Sequence, residues 1–287
     1  MAYSRTDALV DTEWLAEHLD APDVKVIDAT FLWRKDMSEA KRNFQELHIP
    51  GARFFDIDDI ADTSNPLPHM LPRPEKFSSR ARALGLGDGI RIVAYDQNGG
   101  AMAAARAWWM FRVFGHKDVA VLNGGLPKWL AENRPTGNSA GNPTPRHFTA
   151  RINNMLVRDK DQMLKNLDTR RDQVVDARNP ERFSGKIPEP REGLKSGHIP
   201  GSANLPFTKL MDPDNHFTLR SAKDIKKAFN DAGVDLSNAV AASCGSGVTA
   251  CVVALAAYMI GKEDVSVYDG SWTEWGSAED TPIETGR

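Results

Sequence analysis

The sequence predicts an α/β protein of two tandem domains, each a mostly parallel sheet with helices on both faces. The first support is an internal repeat. VKVIDAT around Asp28 is echoed by DQVVDAR around Asp176, and HIPGARF at 48 by HIPGSANL at 198. IVAYDQNGG, with Asp96, matches VAASCGSGV, with Cys244; VLNGGLPKW at 121 matches VYDGSWTEW at 267. The four landmarks keep their order at offsets of 146–150 residues, which is the size of a duplicated domain and too long for a solenoid repeat. The second support is alternation of short apolar runs with longer helical stretches. The third is length: 287 residues suffice for two cores.

Each element follows from the local pattern. Val24–Asp28 is a short apolar run that reads as a buried strand. Ile90–Tyr95 is a second strand, ending in a polar, glycine-bearing loop that feeds an apolar helix over Met102–Phe114. Gly115 stands where a helix end wants a left-handed residue, and Val119–Leu122 makes a third strand. Arg134–Pro145 holds three prolines and two glycines and marks the connection. The domains are therefore placed at 1–137 and 150–287, with a linker at about 138–149. The second half repeats the grammar: strands at Val174–Asp176, Ala239–Ser243 and Val265–Tyr268, and a helix over Val248–Ile260 closed by Gly261. Strands alternating with helices imply parallel pairing through crossover connections.

Composition bounds the function. With 41% hydrophobic and 26% charged residues the chain is an ordinary globular one, and a net charge of −3 argues against nucleic-acid binding by bulk electrostatics. The longest apolar run, Ala250–Ile260, is eleven residues, against the roughly 20 a membrane span needs. The opening MAYSRTDALVDTEW has no apolar targeting core, so the expected location is the cytoplasm and no membrane partner is expected. Two cysteines, Cys244 and Cys251, cannot make a disulfide framework or a four-thiolate zinc site. No metal-ligand spacing, phosphate loop or dinucleotide fingerprint is present, so neither metal nor cofactor is expected.

Chemistry is expected beyond the carboxyl ends of the strands. There the second half places Cys244-Gly245-Ser246-Gly247-Val248-Thr249 between a strand and a helix. Successive backbone N–H groups in such a loop make an anion nest, the helix N-terminus adds partial positive charge, and the glycines let the backbone curl around the sulfur. All three favour thiolate over thiol at Cys244. The first half carries Asp96-Gln97-Asn98-Gly99-Gly100-Ala101 at this place and has no thiol. Cys251, two helical turns on among Val252, Val253, Ala254 and Leu255, reads as core, with a redox partnership as the minor alternative. A tyrosine-phosphatase loop would need arginine six residues after the cysteine, where this chain has Ala250.

Two repeated domains with one cysteine loop, the HIPGA and HIPGS segments and the DGSW turn together resemble the tandem rhodanese-like sulfurtransferases, over nearly the whole chain. In that family a basic loop, as in CRKGVT, accompanies thiosulfate, and CGSGVT or CGTGVT accompanies 3-mercaptopyruvate; Gly245 and Ser246 match the latter. The resemblance implies a Cys244 persulfide, with 3-mercaptopyruvate as sulfur donor, pyruvate as product, and thioredoxin, small thiols or cyanide as acceptor. It implies that Gly245, Gly247, Val248 and Thr249 cradle the persulfide, and that Arg182 and Arg191 bind the substrate's carboxylate and ketone oxygens. Without it, both arginines would read as solvated charge. Phe55-Asp56-Ile57-Asp58 and Pro68-His69-Met70-Leu71-Pro72 resemble the family's FDID…HMLP segment, which implies a proton relay of Asp58, His69 and Ser246. The alternative is structural: Asp58 capping a turn and His69 packed in a proline-stiffened loop. Two further readings stay open, a thiosulfate:cyanide sulfurtransferase and a non-enzymatic persulfide carrier. A monomer is the simplest expectation, since the two halves can cover each other.

Overall fold

The computed structural model describes residues 2–32, 37–99, 102–139, 141 and 143–286. The first half contains β1 (Leu9–Val10), β2 (Val24–Asp28), β3 (Arg53–Phe54), β4 (Arg91–Tyr95) and β5 (Val119–Leu122), in the all-parallel order β1-β5-β4-β2-β3. The second contains β6 (Val157–Arg158), β7 (Asp172–Asp176), β8 (Ala203–Asn204), a small antiparallel hairpin of β9 (Met211–Asp212) and β10 (Thr218–Leu219), β11 (Ala239–Ser243) and β12 (Ser266–Tyr268). Its main sheet is β6-β12-β11-β7-β8, also all parallel, so the two halves share one strand order as well as one sequence pattern. In both, the strand that leads to the candidate loop is central, and its end is flanked by loops from both neighbours.

The two helices that follow those loops, Met102–Val113 and Ala250–Met259, pack against each other across the boundary between the halves, within one continuous apolar core. Every residue of Ala250–Met259 is buried, because its own sheet covers one side and the other half covers the opposite side. Trp108 meets Tyr258 edge-on at 5.4 Å, and the Arg112 guanidinium lies over both rings. The second helix begins at Ala250, two residues later than the sequence pattern suggests, because Val248 and Thr249 belong to the loop. Gly115 and Gly261 close the two helices at φ +87° and +101°, as their positions require.

The connecting segment is a fitted strap. Thr149 donates through its N–H and its hydroxyl to the Asp88 carboxylate, Ser78 Oγ donates to the Phe148 carbonyl, and Arg151 N–H donates to the Phe114 carbonyl. Phe148 packs edge-on against Phe77 and lies 6.0 Å from the Phe111 ring. Residues 147–151, the end of the expected linker and the first residues of the expected second domain, thus lie against the first half. Each half is closed by a strand-like bridge from its own C-terminal tail to its HIPG segment, His48 with Gly137 and His198 with Glu284.

Each half also reaches into the other. The Leu71 N–H donates to Asp269 Oδ2 at 2.7 Å, and in the pseudo-symmetric position the Leu219 N–H donates to Asn123 Oδ1 at 2.8 Å. The HMLP segment of the first half is thereby laid over the end of the second sheet, beside the cysteine loop.

Candidate active site

Cys244 is the first residue after β11 and is 2% exposed. Its N–H donates to Ser271 Oγ at 3.1 Å. The loop's carbonyls are drawn elsewhere: that of Cys244 accepts from Trp272 N–H, that of Gly245 from Thr273 N–H and Oγ1, and that of Gly247 from Arg106 Nη1 and Cys251 Sγ. The carbonyls of Val248 and Thr249 accept the first bonds of the following helix. The DGSW turn therefore serves as an outer frame for the loop, which accounts for that turn's place in the sequence repeat. Gly247 sits at φ +75°, where L side chains are strained, and a Cβ there would lie 2.7 Å from the Asp269 carbonyl oxygen.

A cleft of about 500 Å³ opens over the loop, floored by Cys244, Gly245, Ser246, Val248 and Thr249. Arg178, Arg182 and Arg191 form its polar wall, and Phe31, Leu32 and Met102 of the first half form part of its apolar wall. Arg182 and Arg191 converge: a Cβ added at Gly245 would lie 3.1 Å from Arg182 Nη2 and 3.9 Å from Arg191 Nη1. The glycine keeps this approach open. Arg191 Nη2 also donates to Ser246 Oγ at 3.4 Å. Burial pushes the Arg191 guanidinium pKa down and the neighbouring Arg182 charge acts the same way, while Cys244, Glu189 and Asp58 work in the opposite direction.

Sequence reasoning places both arginines on one proline-rich loop. Arg182 instead belongs to a short helix, Pro180–Phe183, with proline at its first turn and an Asn179 side-chain cap. His198 stacks on Phe183 at 3.8 Å and its Nδ1 meets the Phe183 carbonyl, which pins that helix to the HIPG segment. The ion chain behind Arg182 carries no signature in the sequence. Glu189 takes Arg182 Nη2 at 2.6 Å and Arg178 Nη1 at 2.8 Å, and Arg178 pairs with Asp176 at the end of β7. Arg178 lies 4.3 Å over the Trp272 ring. Two carboxylates alternating with two guanidiniums fix the fork of Arg182 before any anion arrives.

Of the expected relay, the structure brings two members together. His69 Nδ1 lies 2.6 Å from Asp58 Oδ1, a contact that orients the ring with its Nδ1–H on the carboxylate. The turn is capped by Asp56, whose side chain accepts from the N–H groups of Asp58 and Asp59, so Asp58 is left for His69. His69 holds φ +62°, a left-handed conformation uncommon for a residue with a Cβ. Its Nε2 is buried and has no hydrogen-bond partner among the described residues, so the link from His69 to Ser246 is not made in this conformation. Among the described residues no group of three or more His, Cys, Asp or Glu is placed to hold a metal, and no helix is long and apolar enough to cross a membrane.

In the first half, Asp96 occupies the position of Cys244. Its Oδ2 accepts from the N–H groups of Ala103 and Ala104 at the start of the helix, and Oδ1 has no hydrogen-bond partner among the described residues. Burial pushes its carboxyl up to about 7 against those two bonds. The folded value lies above the unfolded one, so the folded protein holds the extra proton between roughly pH 4 and 7. Stability present at low pH is lost as pH rises through that range. Asp96→Asn should raise the melting temperature by about 2–5 °C at pH 8 and change it little at pH 5, read by calorimetry at both values.

A rhodanese-like domain profile matches residues 11–132 and again 159–278. The mouse 3-mercaptopyruvate sulfurtransferase is 46% identical over 273 residues, covering 93% of this chain and 91% of that protein. The thiosulfate sulfurtransferase of Cricetulus griseus is 44% identical over 274 residues, with the same coverage. The crystal structure of SseA from Escherichia coli, reported for the "Rhodanese" fold and catalytic mechanism of 3-mercaptopyruvate sulfotransferases, superposes with a TM-score of 0.84 at 36% identity, covering 93% of this chain and 99% of that one. Two profile matches, one in each half, and identity of this extent over nearly the whole length lead to one conclusion: the chain belongs to the rhodanese-like sulfurtransferase family.

Proposed function

We propose that this enzyme moves the sulfur of 3-mercaptopyruvate through a Cys244 persulfide to a thiol or cyanide acceptor, releasing pyruvate. The observation that carries the reading is the convergence of Arg182 and Arg191 over Gly245, beside the cysteine. A guanidinium pair there suits the α-keto acid's carboxylate and ketone oxygens. The Cys244 thiolate attacks the thiol sulfur of the substrate and forms an S–S bond. The carbon–sulfur bond breaks, its electrons pass into the ketone as pyruvate enolate, and the arginines stabilise that oxyanion. The substrate's thiol proton passes through Ser246 to Nε2 of His69, oriented by Asp58, once the serine turns to it, leaving the persulfide anionic; the same proton then returns by that route to the carbon to give pyruvate. An acceptor such as thioredoxin, a small thiol or cyanide then takes the outer sulfur and frees the thiolate, a two-step covalent scheme.

The loop itself favours this donor over thiosulfate: Gly245 and Ser246 place no cation inside the cradle to hold a dianion. The test is steady-state kinetics with both donors. The wild-type enzyme should turn over 3-mercaptopyruvate with the higher kcat/KM, and Arg182→Ala should lower that value about 10- to 100-fold. Thiosulfate preferred by the wild type supports the rhodanese reading instead, and no turnover of either donor supports a carrier.

A further inference from the structure

The Met102–Val113 helix is apolar along nearly its whole buried length, yet Arg106 stands in it and is 0% exposed. A buried guanidinium needs both a counter-charge and carbonyl partners. Arg106 finds them on three chain segments from both halves. It forms an ion pair with Asp269 at 2.7 Å, donates through Nη1 to the Gly247 carbonyl at 3.2 Å, and donates through Nη2 to the His69 carbonyl. Its plane lies 4.5 Å over the Trp109 ring. The pairing with Asp269 does not explain the charge, because apolar side chains of similar size generally stabilise such an interface at least as well.

The two carbonyls do explain it. Gly247 is the one residue of the cysteine loop described with positive φ, so its peptide is the one most free to turn. Turned over, it would direct a carbonyl dipole at the sulfur and take the next N–H away. Arg106 and Cys251 Sγ both donate to that carbonyl and hold it outward. The same guanidinium anchors His69, whose φ of +62° is intrinsically unfavourable.

We infer that Arg106 is a positioning residue: from the non-catalytic half it fixes the orientation of the Gly247 peptide, and with it the anion-holding geometry around Cys244, while also setting the place of His69. This rests on Cys244 being the reactive sulfur, as proposed above.

The test uses the full chain with two variants, Arg106→Lys and the double variant Arg106→Met/Asp269→Asn. The double change removes both charges, so neither is left buried alone. The lysine keeps the charge but not the fork. The first readout is the rate of Cys244 alkylation by iodoacetamide at pH 7, located by peptide mass; the neutral reagent is insensitive to the arginine's charge and the measurement needs no sulfur donor. The second is kcat and KM with 3-mercaptopyruvate. In protein with a wild-type near-ultraviolet spectrum, alkylation should slow about tenfold in the double variant and less in Arg106→Lys. kcat should fall with KM changed less than about twofold, since Arg182 and Arg191 are untouched.

A residue that merely glued the halves together would, when removed, loosen them and expose Cys244, so alkylation would quicken. Unchanged or faster alkylation in the folded variants overturns the inference, and Arg106→Lys alone carries the test should the double variant not fold. Slower alkylation in an enzyme that turns over neither donor would uphold the positioning role while removing the proposed reaction, so the two can fail separately.

Discussion

Cys244→Ser should abolish sulfur transfer, with kcat for 3-mercaptopyruvate reduced by at least about a thousandfold and thiosulfate turnover lost with it. Serine keeps the size and the loop but not the nucleophile. Its hydroxyl is not ionised near neutral pH, and an oxygen cannot carry the transferred sulfur as a stable persulfide. The substitution should leave the fold intact, because the loop is held from outside by Ser271, Trp272 and Thr273 acting on backbone groups. Binding should survive as well: Glu189 holds Arg182, and Arg191 reaches Ser246 Oγ, contacts the substitution leaves in place. Pyruvate released by the folded variant, at a rate within tenfold of wild type in a coupled assay, would remove Cys244 from the reaction.

Gly247→Ala is the second large effect, and it separates loop geometry from sulfur chemistry. Cys244 stays, but the new Cβ would lie 2.7 Å from the Asp269 carbonyl oxygen at a residue held at φ +75°. The obstacle is backbone, which cannot swing aside as the end of a long side chain can. The left-handed conformation alone costs about 1–2 kcal/mol for an L residue, and the loop must shift to clear the contact. The carbonyl held by Arg106 and Cys251 would move with it. We expect kcat to fall by about 100-fold and the melting temperature by about 3–6 °C. An alanine variant with wild-type kcat and melting temperature would show that the loop tolerates displacement and that its curl does not set reactivity.

Much of this architecture was legible because the chain states it twice. Val119–Leu122 and Ala239–Ser243 are strands with the boundaries their apolar runs suggest, and Asp28 and Asp176 end matching interior strands. Two-residue edge strands such as Leu9–Val10 and Ala203–Asn204 carry no pattern of their own; they exist through pairing with a neighbour distant in sequence. Cys244 was legible from its setting, a thiol between strand and helix among glycines. Arg106 left one trace, a lone charge inside MAAARAWWM, but its partners are 37, 141 and 163 residues away and only folding unites them. The Arg178–Glu189–Arg182 chain was hidden for the same reason. The Asp58–His69 contact emerged as the resemblance implied, while the Ser246 hydroxyl lies toward Arg191.

The central claim is that the amide edge of this loop holds an anionic sulfur ready to accept a second one. Intact-protein and peptide mass spectrometry after exposure to 3-mercaptopyruvate, without reducing agent, tests it most directly. The account predicts a gain of about 32 Da on the peptide bearing Cys244, reversed by cyanide or excess thiol and absent from Cys251. Pyruvate production with the Cys244 peptide remaining at its unmodified mass, even in rapidly quenched samples taken during turnover, would contradict it.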